Sequence, residues 1–199
     1  MSAPATPVST DRSDFRTVMI GGTKLGLTTG MAVVLFLVVS RALPPGLARQ
    51  VAETAVVLAA AAAASFLPAR WVEPRTGDGV AGAAALGLWG TVVFSAFDII
   101  LLRPFDAYPW TWDAIGGNST WWYLSLWWML GTFAAWMGAL VAARMPDAGL
   151  VQLAWPTAAG AVGVGVGATF FDVTLPVATG GGFVVTLVVR ALFALARAR

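Results

Sequence analysis

Long apolar stretches alternate with short polar connections along this chain, and this alternation predicts its elements. Each stretch approaches or exceeds the roughly 20 residues that an α-helix needs to cross a bilayer. We therefore predict an all-α, polytopic membrane protein whose six transmembrane helices form short-looped hairpins. A polar tail at residues 1–17 precedes a single transmembrane domain at 18–199. The spans are predicted at about 18–43, 47–67, 80–102, 121–143, 150–171 and 178–195.

Proline and glycine mark several of the predicted span ends. Pro44 and Pro45 follow the first span, and Pro68 is expected to stop the second, because proline commonly follows a helix end. Gly180, Gly181 and Gly182 lack the strand–turn–helix context of a nucleotide-binding loop. We interpret these three glycines as a turn at the head of the sixth span.

Composition supports a bilayer as the solvent of this chain. Hydrophobic residues make up 58% of the sequence and charged residues only 11%, and the mean hydropathy is +0.78. A soluble domain carries about 25% charged residues. The surface of this protein is therefore expected to face lipid.

The basic residues predict an orientation for the six spans. With both termini in the cytoplasm, only Arg41, Arg49 and Arg103 of the 12 basic residues lie outside. A five-span arrangement would move three C-terminal arginines outside and remove this bias, so the positive-inside rule favours six. Lys24 is the single lysine among the 12 basic residues, and we attribute this preference for arginine to a GC-rich bacterial genome. We therefore expect a multi-pass protein of the bacterial inner (cytoplasmic) membrane.

The chain contains no cysteine and no histidine, which excludes several kinds of metal site, cofactor site and catalytic group. Haem with a His or Cys axial ligand, iron–sulfur clusters, the usual zinc sites and imidazole general bases all need these side chains. A cation site built from carboxylates alone remains possible. The net charge of +2 is too small to indicate a nucleic-acid partner. We find no catalytic triad and expect a protein that is not an enzyme.

Three acidic residues lie near the predicted outer ends of the spans. These are Glu53, Asp98 and Asp172, and Arg103 lies at a similar depth. Ionisable groups within a span are costly and favour a functional hypothesis, here a cation or protonatable site. The alternative is a set of interfacial ion pairs, such as Asp98 or Asp172 with Arg103, that hold helix ends in place.

Small residues recur at every fourth position in three of the spans, as they do where membrane helices pack closely. The rows are Gly79, Ala83 and Gly87 in the third span, Gly131, Ala135 and Ala139 in the fourth, and Ala159, Gly163 and Gly167 in the fifth. We expect each row to lie at a helix–helix contact. The other interpretation is that the glycine-rich fifth span borders a narrow pore.

Tryptophans concentrate between the third and fourth spans, at Trp110, Trp112, Trp121, Trp122, Trp127 and Trp128. Their amphipathic rings are typical of the membrane interface, so they predict an aromatic belt. Trp127 and Trp128 lie deeper than a belt requires. A platform for a lipid tail, carotenoid, quinone or partner helix is the second interpretation.

These features favour a non-catalytic accessory or structural subunit of a larger membrane assembly. The alternative is a small channel or transporter for a cation or small solute that uses the outer carboxylates. The expected partners are membrane lipids and other membrane subunits or a second copy of the chain, without nucleic acid. We expect no cofactor held within the chain itself, although a bound lipid, quinone or carotenoid would fit the aromatic platform.

Overall fold

The computed structural model describes residues 12–105 and 122–197, and within these ranges the regular structure is helical, without strands. Six of the helices there are long and apolar enough to cross a membrane. This confirms the prediction of an all-α protein with six candidate spans. The helices are α1 Phe15–Ala42, α2 Leu47–Val72, α3 Gly77–Phe97, α4 Trp122–Ala142, α5 Leu150–Ala168 and α6 Leu175–Ala196.

Short irregular helices extend two of these spans. A π-helix at Asp98–Leu102 and a 3-10 turn at Arg103–Phe105 follow α3, and a 3-10 turn at Thr169–Phe171 follows α5. The third and fifth spans therefore end at the residues predicted from the sequence. The backbone geometry at their ends was not predicted.

Hydrogen bonds between connections define one end of the bundle. The backbone N–H of Arg12 donates to the carbonyl of Val72 at 2.9 Å. The guanidinium of Arg70 donates to the carbonyl of Ala148 at 3.2 Å. The start of α1, the end of α2 and the α4–α5 turn therefore lie together. We call this the Arg-rich end.

A second set of hydrogen bonds defines the opposite end. The Ser40 hydroxyl, in the last turn of α1, donates to Glu53 of α2 at 2.6 Å. The backbone N–H of Leu175, at the start of α6, donates to the side-chain oxygen of Gln50 at 3.4 Å. The α1–α2 and α5–α6 connections thus share one end, as alternating spans require.

Helix α2 lies at the centre of the bundle, where it contacts each of the other five helices. Helix α3 packs between α1 and α4, whereas α5 is peripheral and packs mainly against α6. Fully buried apolar side chains fill the interior between these helices. The largest are Phe66, Phe183, Leu86, Leu153 and Leu187.

The prediction that α2 stops at Pro68 was wrong, because the helix continues through this residue to Val72. Proline removes one N–H donor from a helix, but neighbouring helices can re-satisfy the freed backbone in a membrane bundle. Pro68 is fully buried among those neighbours. The helix ends at Glu73, whose φ of 53° places it in the left-handed conformation typical of a helix C-terminus.

The first and last helices begin earlier than predicted. Asp14 caps α1 by accepting the backbone N–H of Thr17 at 3.2 Å. Helix α6 begins at Leu175 with Pro176 in its first turn, where proline needs no hydrogen-bond partner. The interpretation of Gly180–Gly182 as a turn was therefore wrong, since all three glycines lie within α6.

Glycine brings α3 close to α4, along the rows of small residues identified in the sequence. A Cβ added at Gly87 would lie 2.5 Å from the Cβ of Ala135 and 2.7 Å from the carbonyl oxygen of Gly131. Ala83 is fully buried one turn earlier on α3. The structure thus places Gly87 at a contact with α4 where no larger side chain would fit, and Ala83 continues the buried row on the same face of α3.

The fifth span packs through a different row from the one expected. A Cβ added at Gly163 or Gly167 would meet nothing within 4 Å, so neither glycine lies at a contact between the helices that the structure describes. The buried row of α5 is Leu153, Thr157, Ala161 and Gly165. Gly163 and Gly165 are two residues apart, about 200° around an α-helix, so the two rows of small residues lie on nearly opposite faces of α5 and only one of them can face α6. A contact of Gly163 and Gly167 with another molecule stays a prediction.

Candidate functional site

Asp98 begins the π-helical segment at the end of α3. The backbone N–H of Arg103 donates to the carbonyl of Asp98, which closes the wide turn that defines this helix type. Because the turn is wider, side chains separated by five residues in the sequence, such as those of Asp98 and Arg103, come towards one face of the helix. The Nε of Arg103 consequently lies 3.7 Å from Oδ2 of Asp98.

The environment of this pair indicates what it can do. The Asp98 side chain is buried at 4% exposure, whereas that of Arg103 is 33% exposed. A buried carboxylate needs a cation or hydrogen-bond donors nearby, and the guanidinium supplies the cation. Of the two sequence hypotheses, this geometry corresponds to an ion pair at a helix end. The pair balances the carboxylate charge locally and joins α3 to its irregular extension.

Glu53 lies in a second ion pair at the same end of the bundle. Its carboxylate Oε1 accepts hydrogen bonds from Nε of Arg49 at 2.8 Å and from the Ser40 hydroxyl at 2.6 Å. The spacing of Arg49 and Glu53 by four residues was a sequence signal for this pair. Nothing in the sequence identified Ser40, because its role depends on the rotation of α1 against α2.

Asp172 is exposed and ends the 3-10 turn after α5, with a φ of 59°. Its backbone N–H donates to the carbonyl of Thr169 at 3.3 Å. Within residues 12–105 and 122–197, no three acidic side chains come together in a group that could hold a metal ion. The structure therefore presents Glu53 and Asp98 as two separate ion pairs, and Asp172 as an exposed turn residue.

Two of the tryptophans that were expected to form the belt or platform connect α4 to α3. Trp127 meets Phe94 edge to face, with ring centroids 5.9 Å apart and planes at 80°. The indole N–H of Trp128 donates to the Ser95 hydroxyl at 3.2 Å. Their depth thus follows from packing between helices. Trp110, Trp112, Trp121 and the side chain of Trp122 lie outside what the structure describes, so the belt and the platform stay predictions.

A polar contact that the sequence analysis missed joins α5 to α6. Arg190 lies in α6 about two turns before the end of the helix. Its guanidinium donates to the carbonyl of Leu153 at 2.6 Å and to the hydroxyl of Thr157. Thr157 is fully buried. In the sequence, Arg190 is one of the three C-terminal arginines that enter the positive-inside comparison. Its position inside a span was the available sign of a structural role, since an arginine within a membrane needs partners.

Two cavities lie at the Arg-rich end, away from the acidic residues on which the sequence analysis concentrated. One, of about 300 Å³, carries both signs of charge, including Arg70, Glu73 and Asp147. The other, of about 360 Å³, lies against α1 and is lined by Arg16, Lys24 and Trp71 among others.

Comparisons with protein-family models, with curated proteins and with solved structures found no match to this chain. Its function must therefore be argued from its own geometry.

Proposed function

We propose that this integral membrane protein is a non-catalytic accessory or structural subunit of a larger membrane assembly. One observation carries the proposal. Helix α5 packs on α6 through one face and leaves a second face of small residues, around Gly163 and Gly167, without contact to any residue of 12–105 or 122–197.

The chemistry of a membrane interior explains why this face supports association. Lipid tails are as apolar as the side chains of a helix, so hydrophobicity does not drive helices together there. Close approach of two backbones at small residues contributes instead, and Gly163 and Gly167 have the four-residue spacing that permits it. The peripheral position of α5 leaves room for a helix from another molecule.

The rest of the bundle supports a structural role over transport. Glu53 and Asp98 each lie in an ion pair with an arginine. Phe66, Leu86 and Phe183 fill the interior with apolar side chains. A proton relay or ion path normally places polar groups at the mid-depth of several helices, and these acids lie near the helix ends instead.

The proposal includes a location and an orientation. We place the protein in the bacterial inner membrane, with the Arg-rich end in the cytoplasm. The supporting observation is that the starts and ends of helices at that end carry most of the arginines, as the positive-inside rule expects.

Native size and composition test the subunit proposal. The tagged chain would be extracted from its own membranes in a mild detergent and compared with the double variant Gly163→Leu/Gly167→Leu. We expect the wild type to migrate with a stoichiometric partner, either another membrane protein or a second copy. The double variant should lose that partner while remaining folded.

Gly181→Leu is a matched control, because Gly181 is also an exposed helical glycine with nothing within 4 Å of an added Cβ. This variant should retain the partner. A wild type that migrates alone, or a double variant that keeps its partner, would contradict the proposal. Selective cation flux by the purified wild type would favour the channel or transporter instead.

A further inference from the structure

We propose that the cavity beside α1 at the Arg-rich end binds the phosphate group of an anionic phospholipid. The cavity, of about 360 Å³, is lined by Arg16, Thr17, Ile20, Gly21 and Lys24 of α1 and by Trp71 of α2. This inference does not depend on the proposed subunit role.

The residues of α1 in this cavity form one stripe of the helix surface. Positions 16, 20 and 24 recur every fourth residue, and 17 and 21 fill the spaces between them. With a rise of 1.5 Å per residue, Lys24 lies about 12 Å deeper along the helix than Arg16. The stripe therefore extends from the end of the bundle into the lipid-facing zone, as a phospholipid headgroup and its glycerol would.

Three of the side chains that line this cavity carry hydrogen-bond donors. Within residues 12–105 and 122–197, Arg16 and Lys24 form no ion pair, and the indole N–H of Trp71 makes no hydrogen bond. Two cations and an N–H donor suit the several acceptor oxygens of a phosphate. Lysine stems can lie along apolar surface while the ammonium reaches the headgroup level.

The acidic residues near the cavity are already engaged. Asp14 accepts the backbone N–H and the hydroxyl of Thr17, at 3.2 and 2.6 Å, and thereby caps α1. These bonds, chiefly the one from the hydroxyl, hold the pKa of Asp14 below its ordinary value. Glu73 pairs with Arg12 at 3.6 Å. Among the described residues, no carboxylate lines the cavity itself.

The apolar part of the cavity favours a lipid over a soluble phosphate compound. The indole of Trp71 packs beside Gly21, where an added Cβ would lie 3.2 Å from its ring. Ile20 is 46% exposed on the same stripe. A tryptophan and an isoleucine at a depth between Arg16 and Lys24 match the boundary between phosphates and acyl chains. Basic sites between helices at the cytoplasmic side are known to bind anionic headgroups.

Native mass spectrometry of the full chain in a mild detergent tests the proposal. The probes would be phosphatidylglycerol, phosphatidylcholine and inorganic phosphate. We expect tighter binding of the first phosphatidylglycerol than of phosphatidylcholine. Each neutralised cation should weaken that binding about fivefold, so Arg16→Gln/Lys24→Gln should lose more than tenfold.

The matched control is Arg144→Gln/Arg197→Gln, which removes the same charge from exposed positions at the same end. This control should retain the preference, and Lys24→Arg should retain it too. Equal losses in both double variants would overturn the site, as would wild-type binding of both lipids with equal affinity. Saturable binding of inorganic phosphate that excludes phosphatidylglycerol would assign the cavity to a soluble ligand and overturn the lipid proposal.

Circular dichroism and gel filtration would show that the variants fold. If the double variant does not, Lys24→Gln alone decides, because Lys24 is exposed and makes no ion pair in the described part of the chain. An unchanged lipid preference in that folded variant would refute the proposal.

Discussion

Gly138 lies at a close contact between α4 and the central helix α2, and substituting it tests the packing of the bundle directly. A Cβ at Gly138 would lie 2.6 Å from the carbonyl carbon of Ser65 and closer still to the carbonyl oxygen. Ser65 is buried at 1% exposure, and its carbonyl is part of the backbone of α2. The obstruction therefore cannot move aside by a change of rotamer.

The separation between the two helices sets the size of the effect. Non-bonded carbon atoms prefer about 3.5–4.0 Å, so Gly138→Ala requires α4 to move away from α2 by about 1 Å. Overpacking of this kind costs roughly 1–3 kcal/mol. We expect the free energy of unfolding to fall by that amount, because the contacts on either side of the glycine are weakened as well.

Gly181→Ala is the control, since an added Cβ there meets nothing within 4 Å. Alanine favours a helix over glycine by up to about 1 kcal/mol, so this variant should be as stable as the wild type or more so. Equilibrium unfolding in denaturing detergent, followed by tryptophan fluorescence, measures both variants. Equal stability of Gly138→Ala and Gly181→Ala would refute the packing argument.

Three further predictions concern orientation and the polar groups. Since the chain has no cysteine, single cysteines introduced at Gly46 and Thr76 can be tested with a membrane-impermeant reagent. We expect labelling from outside only at Gly46. Labelling at Thr76 instead would show that the proposed orientation in the membrane is inverted. Asp98→Asn should lower stability by roughly 1 kcal/mol, because it breaks an ion pair whose arginine is 33% exposed and can be solvated. The reconstituted wild type should show no cation flux, and wild-type flux that the substitution abolishes at unchanged stability would contradict the structural role. Arg190→Leu should cost about 2 kcal/mol through the hydrogen bonds lost to α5, whereas Arg144→Leu, at an exposed position, should be nearly neutral in the same unfolding assay.

The number of candidate spans and their approximate positions followed from the sequence, because a bilayer needs a minimum length of apolar helix and the chain supplies it six times. The ends at Leu102 and Phe171 were predictable because charged or turn-forming residues follow them. The continuation of α2 beyond Pro68 and the start of α6 before Ala178 were not predictable in this way. Proline interrupts a helix in water more strongly than in a bundle whose neighbours bury it.

Contacts between the spans were decided only by the tertiary structure. In a soluble protein the apolar stripe of a helix identifies its buried face, but here the lipid-facing side is equally apolar. The sequence therefore could not distinguish the row of Gly165, which faces α6, from the row of Gly163, which does not. Partners such as Ser40 for Glu53 depend on the rotation and depth of two helices, and these are determined by close packing of side chains rather than by hydrophobicity.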